Sequence, residues 1–165
     1  MADAIRDKAQ TDFAIVNIGN VRLHRFDAGD ITVGDVYKLD PFGNDLIKMT
    51  VTGRELIDLL QQIPVTGHHG APCVSWLRYK AAKSPENRMP ITVIEVYAED
   101  GTRINPEKTY TLVLNSYLCS TVSPMPRDKG VSLQTDGAAA LIEYLSKHGA
   151  IDYSEKTRVD LIPVN

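Results

Sequence analysis

The chain has 165 residues, of which 43% are hydrophobic and 24% are charged, and these values exclude a disordered or collagen-like protein. Eighteen Lys and Arg residues against 21 Asp and Glu residues give a net charge of −3, without the basic excess of a general nucleic-acid binder. This length predicts one domain, residues 1–165, that needs no disulfide framework. Cys73 and Cys119 leave one bridge or two free thiols open.

Targeting and membrane segments are not indicated. The sequence has no run of 18 apolar residues, so we expect no membrane span. The first ten residues are charged and lack the apolar core of a signal peptide. Because the chain opens directly in a helical pattern, we expect it to be a piece of a longer protein or to begin abruptly.

Apolar periodicity in the first half of the chain predicts two helices and two strands. These are a helix over residues 2–10, strands over 13–16 and 46–51, and a helix that begins after Thr52. Thr52 and Glu55 form a capping-box pattern at the start of this second helix. The segment 33–39 has a mixed pattern, and the turns or loops are 17–20, 28–30 and 41–44.

The second half of the chain is richer in strands. Strands are predicted over residues 73–79, 91–97, 110–114 and 158–163, with loops at 67–72, 83–88 and 99–101. Residues 120–130 are irregular, and Asp136 caps a final helix over 137–148. Runs of strands with a few interposed helices predict an α+β domain with a mixed sheet.

The chain lacks the common catalytic and metal-binding motifs. Its four histidines are scattered except for the adjacent pair His68 and His69, which is typical of a loop surface. No Gly-x-Ser-x-Gly pattern is present, and the two cysteines lie in or beside apolar segments, as buried structural cysteines do. We therefore assign no catalytic residue and no metal ligand to this chain.

A set of loop residues has side chains suited to ligand binding. An Arg beside a turn can pair with a phosphate or carboxylate, and two aromatic residues from separate loops can hold a flat base between them. Each residue also has an ordinary structural explanation, such as a surface ion pair or an anchor in the core. The candidates are Asn17, Arg22, Phe42, Asn44 and Tyr117.

These residues belong to stretches through which the sequence resembles the C-terminal domain of the 5′-nucleotidase family. The order and spacing of the stretches hold across nearly the whole chain. They are Ala-Asp-Ala-Ile-Arg (2–6), Asp-Phe-Ala-Ile-Val-Asn-Ile-Gly-Asn-Val-Arg (12–22), Ala-Gly-Asp-Ile-Thr (28–32), Pro-Phe-Gly-Asn (41–44), Thr-Gly-Arg-Glu-Leu (52–56) and Asn-Pro-Glu-Lys-Thr-Tyr (105–110).

The resemblance implies a nucleotide-recognition domain of a phosphoester hydrolase. Asn17 and Arg22 match polar contacts to the nucleoside, Phe42 and Tyr117 match the two aromatics that sandwich the base, and Asn44 matches a base-edge contact. Gly67 lies near a backbone contact of some members. The resemblance places two divalent metals (Zn, Mn or similar) and the attacking water in an N-terminal metallophosphoesterase domain, which joins this domain in cis or in trans. It also implies a periplasmic, cell-surface or secreted protein.

The sequence departs from the family pattern at three places. The Gly-Gly-Asp-Gly loop after the second aromatic is replaced by residues 118–125, Leu-Cys-Ser-Thr-Val-Ser-Pro-Met. Asn20 stands where the family has the second Gly of a pair, and Trp76 stands where it has a smaller residue. These departures leave two alternatives to a hydrolase component: a stand-alone ligand-binding module without catalysis, and an interaction domain whose pocket has decayed.

Overall fold

A computed structural model of the chain describes residues 1–23, 25–26, 29–63, 71–83 and 92–163. Within these residues the chain forms eight β-strands, five α-helices and one 3₁₀ turn at Ile18–Asn20. The strands are β1 (Phe13–Val16), β2 (Asp45–Thr52), β3 (Cys73–Ser75), β4 (Leu77–Lys83), β5 (Thr92–Ala98), β6 (Thr109–Asn115), β7 (Val131–Asp136) and β8 (Val159–Pro163). The helices are α1 (Ala2–Ala9), α2 (Val33–Leu39), α3 (Gly53–Gln62), α4 (Ser116–Thr121) and α5 (Gly137–His148).

The strands form two mixed sheets. The larger has the order β3-β1-β6-β2-β7, in which only β1 and β6 are parallel neighbours. The smaller has the order β5-β4-β8, with β4 parallel to β8. This architecture confirms the predicted α+β class, although the single sheet expected from the sequence is in fact two.

The core lies on both faces of the larger sheet. Phe13 and Ile15 of β1 point to a cluster shared with α3 and the smaller sheet, whereas Ala14 and Val16 point to α1 and α5. All four residues of β1 are buried, which explains why this strand is a continuous apolar run. The strand ends at the sheet edges are therefore the places left for polar side chains.

Several predicted elements are confirmed within a residue or two. The helix that was expected after Thr52 is α3, and both halves of its capping box form: Glu55 N donates to Thr52 Oγ1 at 3.2 Å, and Thr52 N donates to Glu55 Oε2 at 2.8 Å. Asp136 caps α5 by accepting a hydrogen bond from Ala139 N at 2.8 Å.

Two expectations for the elements are wrong, and a segment for which the pattern made no prediction is a helix. The single strand predicted over residues 73–79 is two strands in different sheets, because Trp76 has a φ of 55° and turns the chain between β3 and β4. The mixed segment 33–39 is α2, which begins with a capping box of Thr32 and Asp35. The irregular stretch that was expected over 120–130 starts inside α4, and β7 follows it without having been predicted.

Some predictions lie wholly or partly outside the described residues. These are the loops at 67–72 and 83–88, the turn at 28–30, the contact near Gly67, and the histidines His24, His68 and His69.

Both cysteines are free thiols, and burial raises the pKa of each, to about 11 for Cys119. None of the described helices has the length and apolar character needed to cross a membrane.

Candidate functional site

One edge of the larger sheet gathers the polar residues that were singled out in the sequence. The parallel strands β1 and β6 end side by side there, β2 begins there, and β7 ends there. Asn17 follows β1, Asn44 precedes β2, and Tyr117 lies in the helix that follows β6. Residues that are distant in the chain thus share one edge because of the strand order.

Asn17 is held by a second asparagine at this edge. Asn115, the last residue of β6, donates from Nδ2 to Asn17 Oδ1 at 3.0 Å. The other side-chain atom of Asn115, Oδ1, accepts from Leu118 N at 2.9 Å and so caps α4. The buried Asn115 therefore fixes both Asn17 and the helix that carries Tyr117. With its Oδ1 engaged, Asn17 retains its Nδ2 as a hydrogen-bond donor.

Arg22 and Phe42 are in direct contact. Arg22 Cζ lies 4.9 Å from the centroid of the Phe42 ring, which is a cation–π arrangement. The backbone supports this contact, because Arg22 N donates to Leu39 O at 2.8 Å and ties the segment after β1 to the end of α2. Both side chains are exposed, so the guanidinium keeps donors available to a ligand.

The two candidate aromatics are unusually exposed for their size. Phe42 is 44% exposed and Tyr117 is 49% exposed. Both rings lie in the described part of the chain, and they do not contact each other. Phe42 is in a tight turn that Gly43 completes with a φ of 60°, a conformation that glycine adopts without strain. Asn44, the next residue, is half-buried.

Asn20, which replaces a family glycine, has a partner that the sequence did not indicate. Its φ is not positive, and its side chain is 5% exposed and donates from Nδ2 to Asp40 Oδ1 at 3.3 Å. Asp40, itself 4% exposed, also accepts a hydrogen bond from the backbone N–H of Phe42. A buried carboxylate thus links the turn before Arg22 with the turn that carries Phe42.

The environment of Asp40 disfavours its negative charge. Burial raises the pKa of Asp40 above its ordinary value, and the neighbouring Asp136 raises it further. The hydrogen bonds from Phe42 and Asn20 lower the pKa but do not compensate fully. Asp40 therefore holds the two turns together at a cost in electrostatic free energy.

This cost predicts that Asp40→Asn stabilises the domain at neutral pH. Folding raises the pKa of Asp40, so its contribution to stability is full below the ordinary value of 3.8 and is lost as the pH rises through the folded pKa. We expect a gain of about 1 kcal/mol in the free energy of unfolding at about pH 7, and no gain at about pH 3. Urea denaturation at the two pH values measures the difference.

Asp152→Asn is the matched control. Hydrogen bonds from Ser154 lower the pKa of this exposed carboxyl, so the same substitution there should not stabilise the domain. A D40N protein that is less stable than the wild type at neutral pH would contradict the predicted sign and show that the charged form is needed for the two turns.

Of the remaining departures from the family pattern, residues 118–121 continue α4, the helix that carries Tyr117, whereas Trp76 lies away from this edge. Trp76 lies between β3 and β4, beside the start of β1 and so at the opposite edge of the sheet. The segment after α4 runs away from the site: Arg127 N donates to Glu55 Oε1 at 3.0 Å, and Thr50 N donates to Asp128 Oδ2 at 2.7 Å.

The described residues contain no group of three or more His, Cys, Asp or Glu side chains that could hold a metal ion. The site as built offers aromatic faces, amides and one guanidinium. Such groups can bind and orient a planar, polar ligand.

Sequence reasoning missed three residues that shape the site. Asn115 had a recognisable signal, since it follows a predicted strand at a position suited to a helix N-cap. Asn20 and Asp40 had none, because their hydrogen bond joins two turns that are distant in the chain.

Comparison with known proteins identifies the family of the chain. Residues 1–124 match the family described as 5′-nucleotidase, C-terminal domain. A probable 5′-nucleotidase of Treponema pallidum is 33% identical over 87% of this chain and 23% of its own length. Endonuclease YhcR of Bacillus subtilis is 29% identical over 98% of this chain and 13% of its own length.

A solved structure shares the fold over nearly the whole chain. The 5′-nucleotidase precursor of Thermus thermophilus is 25% identical, with a TM-score of 0.82 over 98% of this chain and 34% of that one. The chain thus spans about a third or less of these three relatives. On the family match and the shared fold, the chain belongs to the family of 5′-nucleotidase C-terminal domains.

Proposed function

We propose that this domain recognises the nucleoside part of a nucleotide for a 5′-nucleotidase-type phosphoester hydrolase. The observation that supports the proposal is that the strand order brings five side chains suited to ligand binding to one edge of the larger sheet. They are Asn17, Arg22, Phe42, Asn44 and Tyr117. The names of the relatives, a 5′-nucleotidase and an endonuclease, concern substrates built from nucleotides and support the same ligand class.

The exposed rings provide the binding energy in this proposal. Phe42 and Tyr117 lie on separate elements and both rings are exposed, and a base stacked on aromatic side chains gains about 1–3 kcal/mol. Asn17 Nδ2 and the Arg22 guanidinium donate hydrogen bonds to the sugar or base. Asn44 contacts the edge of the base. Together these contacts would position the phosphate ester for attack, and positioning alone can contribute substantially to rate.

Hydrolysis itself requires groups outside this chain's described residues. We propose that two divalent metals, Zn, Mn or similar, and the attacking water are held by a metallophosphoesterase domain that joins this domain in cis or in trans. The greater length of the relatives supports a further domain. By the same resemblance we propose a periplasmic, cell-surface or secreted location. In this arrangement the present chain binds substrate and has no hydrolytic activity by itself.

A stand-alone binding module remains the alternative for which an observation exists. The family loop after the second aromatic is replaced here by residues 118–125, which begin inside α4, where the Ser120 and Thr121 hydroxyls donate to Tyr117 O at 2.8 and 3.0 Å. This change favours an altered ligand specificity. Such a module would show no phosphatase activity toward a nucleotide when Mn²⁺ or Zn²⁺ is added, with or without a partner domain.

Calorimetric titration with adenosine, AMP and a UDP-sugar tests the proposal. We expect at least one of them to bind with a Kd near 1 mM, which corresponds to about 4 kcal/mol. Phe42→Ala or Tyr117→Ala removes a stacking partner, so each should raise the Kd by about 5- to 150-fold and abolish detectable heat.

Tyr37→Ala provides the matched control for aromatic truncation. Tyr37 is 48% exposed on α2 and is not among the proposed contacts, so its loss should leave the Kd unchanged. Equal weakening by all three variants, or no binding of any ligand at several times the expected Kd, would overturn the assignment of Phe42 and Tyr117.

A further inference from the structure

Trp76 is the most unusual residue outside the proposed site. It has a φ of 55°, in the left-handed region that non-glycine residues rarely adopt, and yet its side chain is 51% exposed. Core packing therefore does not explain why a large aromatic occupies this strained position. Strained residues with exposed side chains are concentrated at functional sites, which directs attention to the surroundings of Trp76.

Trp76 forms one wall of a cleft at the edge of the sheet opposite the proposed nucleoside site. The cleft has a volume of about 510 Å³, within the range of small-molecule sites. Its other walls come from the end of β5, the start of β6 and the residues around β1. The side chains that matter below are Arg6, Trp76, Arg103, Lys108 and Tyr110.

Two cations of the cleft each lie against an aromatic ring. Arg6 Cζ lies 4.1 Å from the centroid of the Trp76 ring, and Lys108 Nζ lies 5.3 Å from that of Tyr110. Tyr110 is fixed, because its hydroxyl accepts from Asn105 N at 3.1 Å. The cleft thus presents two oriented rings, each next to a positive charge.

The carboxylates of the cleft are already engaged within the protein. Asp12 Oδ2 accepts from Thr111 N and Oγ1 at 2.8 Å, and Asp100 Oδ1 accepts from Thr102 N at 2.8 Å. The third, Glu99, has Oε2 3.5 Å from Arg158 Nε, a charge contact without a hydrogen bond. By contrast, Arg103 and Lys108 are exposed and have no carboxylate within 4.0 Å in the described part of the chain. Arg103 and Lys108 are therefore exposed cationic donors that a ligand can reach.

We propose that this cleft binds a small molecule in which an anionic group, phosphate or carboxylate, adjoins a flat ring. The ring stacks beside Trp76 and Tyr110, and the anion pairs with Arg103 and Lys108. This site is at the other edge of the sheet from Phe42 and Tyr117, so it does not depend on the proposed nucleoside site.

The fluorescence of Trp76 reports on the cleft directly, because it is the only tryptophan in the chain. Titrations use two matched pairs: AMP with adenosine for phosphate, and benzoate with benzamide for carboxylate. Excitation at the red edge of the indole band avoids absorption by the probes. We expect a saturable change with AMP or benzoate, and no saturable change with the uncharged member of that pair. The pair that responds identifies the anion.

Charge-neutralising variants test the role of the cations. Arg103→Gln combined with Lys108→Gln should weaken the responding anion by about tenfold or more. Lys38→Gln combined with Arg54→Gln removes the same charge from surfaces outside the cleft and should change the affinity little. Phe42→Ala should leave the fluorescence titration unchanged, which separates this site from the nucleoside site.

Three results would overturn the proposal. One is the absence of a saturable change with both AMP and benzoate. Another is an equal response to the uncharged probes, which would show that the anionic group does not contribute to binding. The last is an affinity that the Arg103 and Lys108 variant leaves intact.

Discussion

Replacing Asp3 by Asn should lower the free energy of unfolding by about 3 kcal/mol at about pH 7. Asp3 Oδ1 lies 2.7 Å from Arg158 Nη1, and the two side chains are only 11% and 13% exposed. The same carboxylate accepts a hydrogen bond from the Ser75 hydroxyl. Asn preserves the shape but removes the charge, so Arg158 would stay buried with only the more distant Glu99 as an ionic partner.

The expected loss of stability is large because this ion pair joins the first helix to both sheets. Asp3 belongs to α1, Ser75 ends β3 in the larger sheet, and Arg158 directly precedes β8 in the smaller one. Arg158 also donates from Nη1 to Val74 O at 3.2 Å. Loss of the charge on Asp3 therefore weakens the junction of the first helix, the last strand and both sheets.

The dependence on pH distinguishes the ion pair from mere loss of packing. Burial by itself would raise the pKa of Asp3, but hydrogen bonds from Arg158, Ser75 and Tyr153 lower it below the ordinary value of 3.8. A lowered folded pKa gives a contribution that is present above the unfolded pKa and is lost as the pH falls through the folded pKa. Urea denaturation should therefore show the full gap between wild type and D3N at about pH 7, and a shrinking gap below about pH 4.

An exposed ion pair serves as the control. Arg54 and Glu107 are 68% and 82% exposed and lie 3.5 Å apart, so Glu107→Gln should change stability by less than about 0.5 kcal/mol. A D3N gap that stays constant down to the lowest pH at which the protein folds would show that the charge of Asp3 is not the source of its contribution.

Local chemistry allowed several elements to be predicted from the sequence. The capping box of Thr52 and Glu55 marked the start of α3, and the buried apolar run marked β1. The same local signal was present for α2 in Thr32 and Asp35, whose mutual hydrogen bonds lower the pKa of Asp35 to about 2. It was missed because Gly34 and the β-branched valines of this segment have low helix propensity.

Other features depend on contacts that no local pattern contains. Residues 73–79 form an uninterrupted strand pattern, and only the conformation of Trp76 divides them between two sheets. β7 exists because its residues pair with β2, although none of them is buried. In both cases the tertiary partner, rather than propensity, decides the structure.

The candidate site also has some features that the sequence indicates and others that only the structure shows. Resemblance to a family singled out its five residues, but only the strand order shows that they share one edge. The supporting roles of Asn115, Asn20 and Asp40 follow only from their hydrogen bonds in the structure. Nucleoside binding by this edge remains a prediction that the titrations described above will test.

Gly53→Ala should be among the most destabilising single substitutions in the chain, with a loss of about 3 kcal/mol. A Cβ at this position would lie 2.2 Å from Asn105 O and 2.8 Å from Asn105 C, which are backbone atoms that cannot rotate away. Two backbone hydrogen bonds hold the two chain segments together here: Gly53 N donates to Lys108 O at 2.9 Å, and Arg54 N donates to Pro106 O at 3.0 Å. Any shift that relieves the clash must therefore break the contact that starts α3.

Gly34→Ala is the matched control for this substitution. Gly34 also lies in the first turn of a helix, but a Cβ there would meet only Thr32 Oγ1, at an ordinary 3.7 Å. Because alanine has the higher helix propensity, G34A should stabilise the domain by up to about 1 kcal/mol. Urea denaturation of the two variants compares them directly. A G53A protein as stable as G34A would mean that the segment 105–108 moves freely. The close backbone approach would then not explain the glycine of the Thr-Gly-Arg-Glu motif.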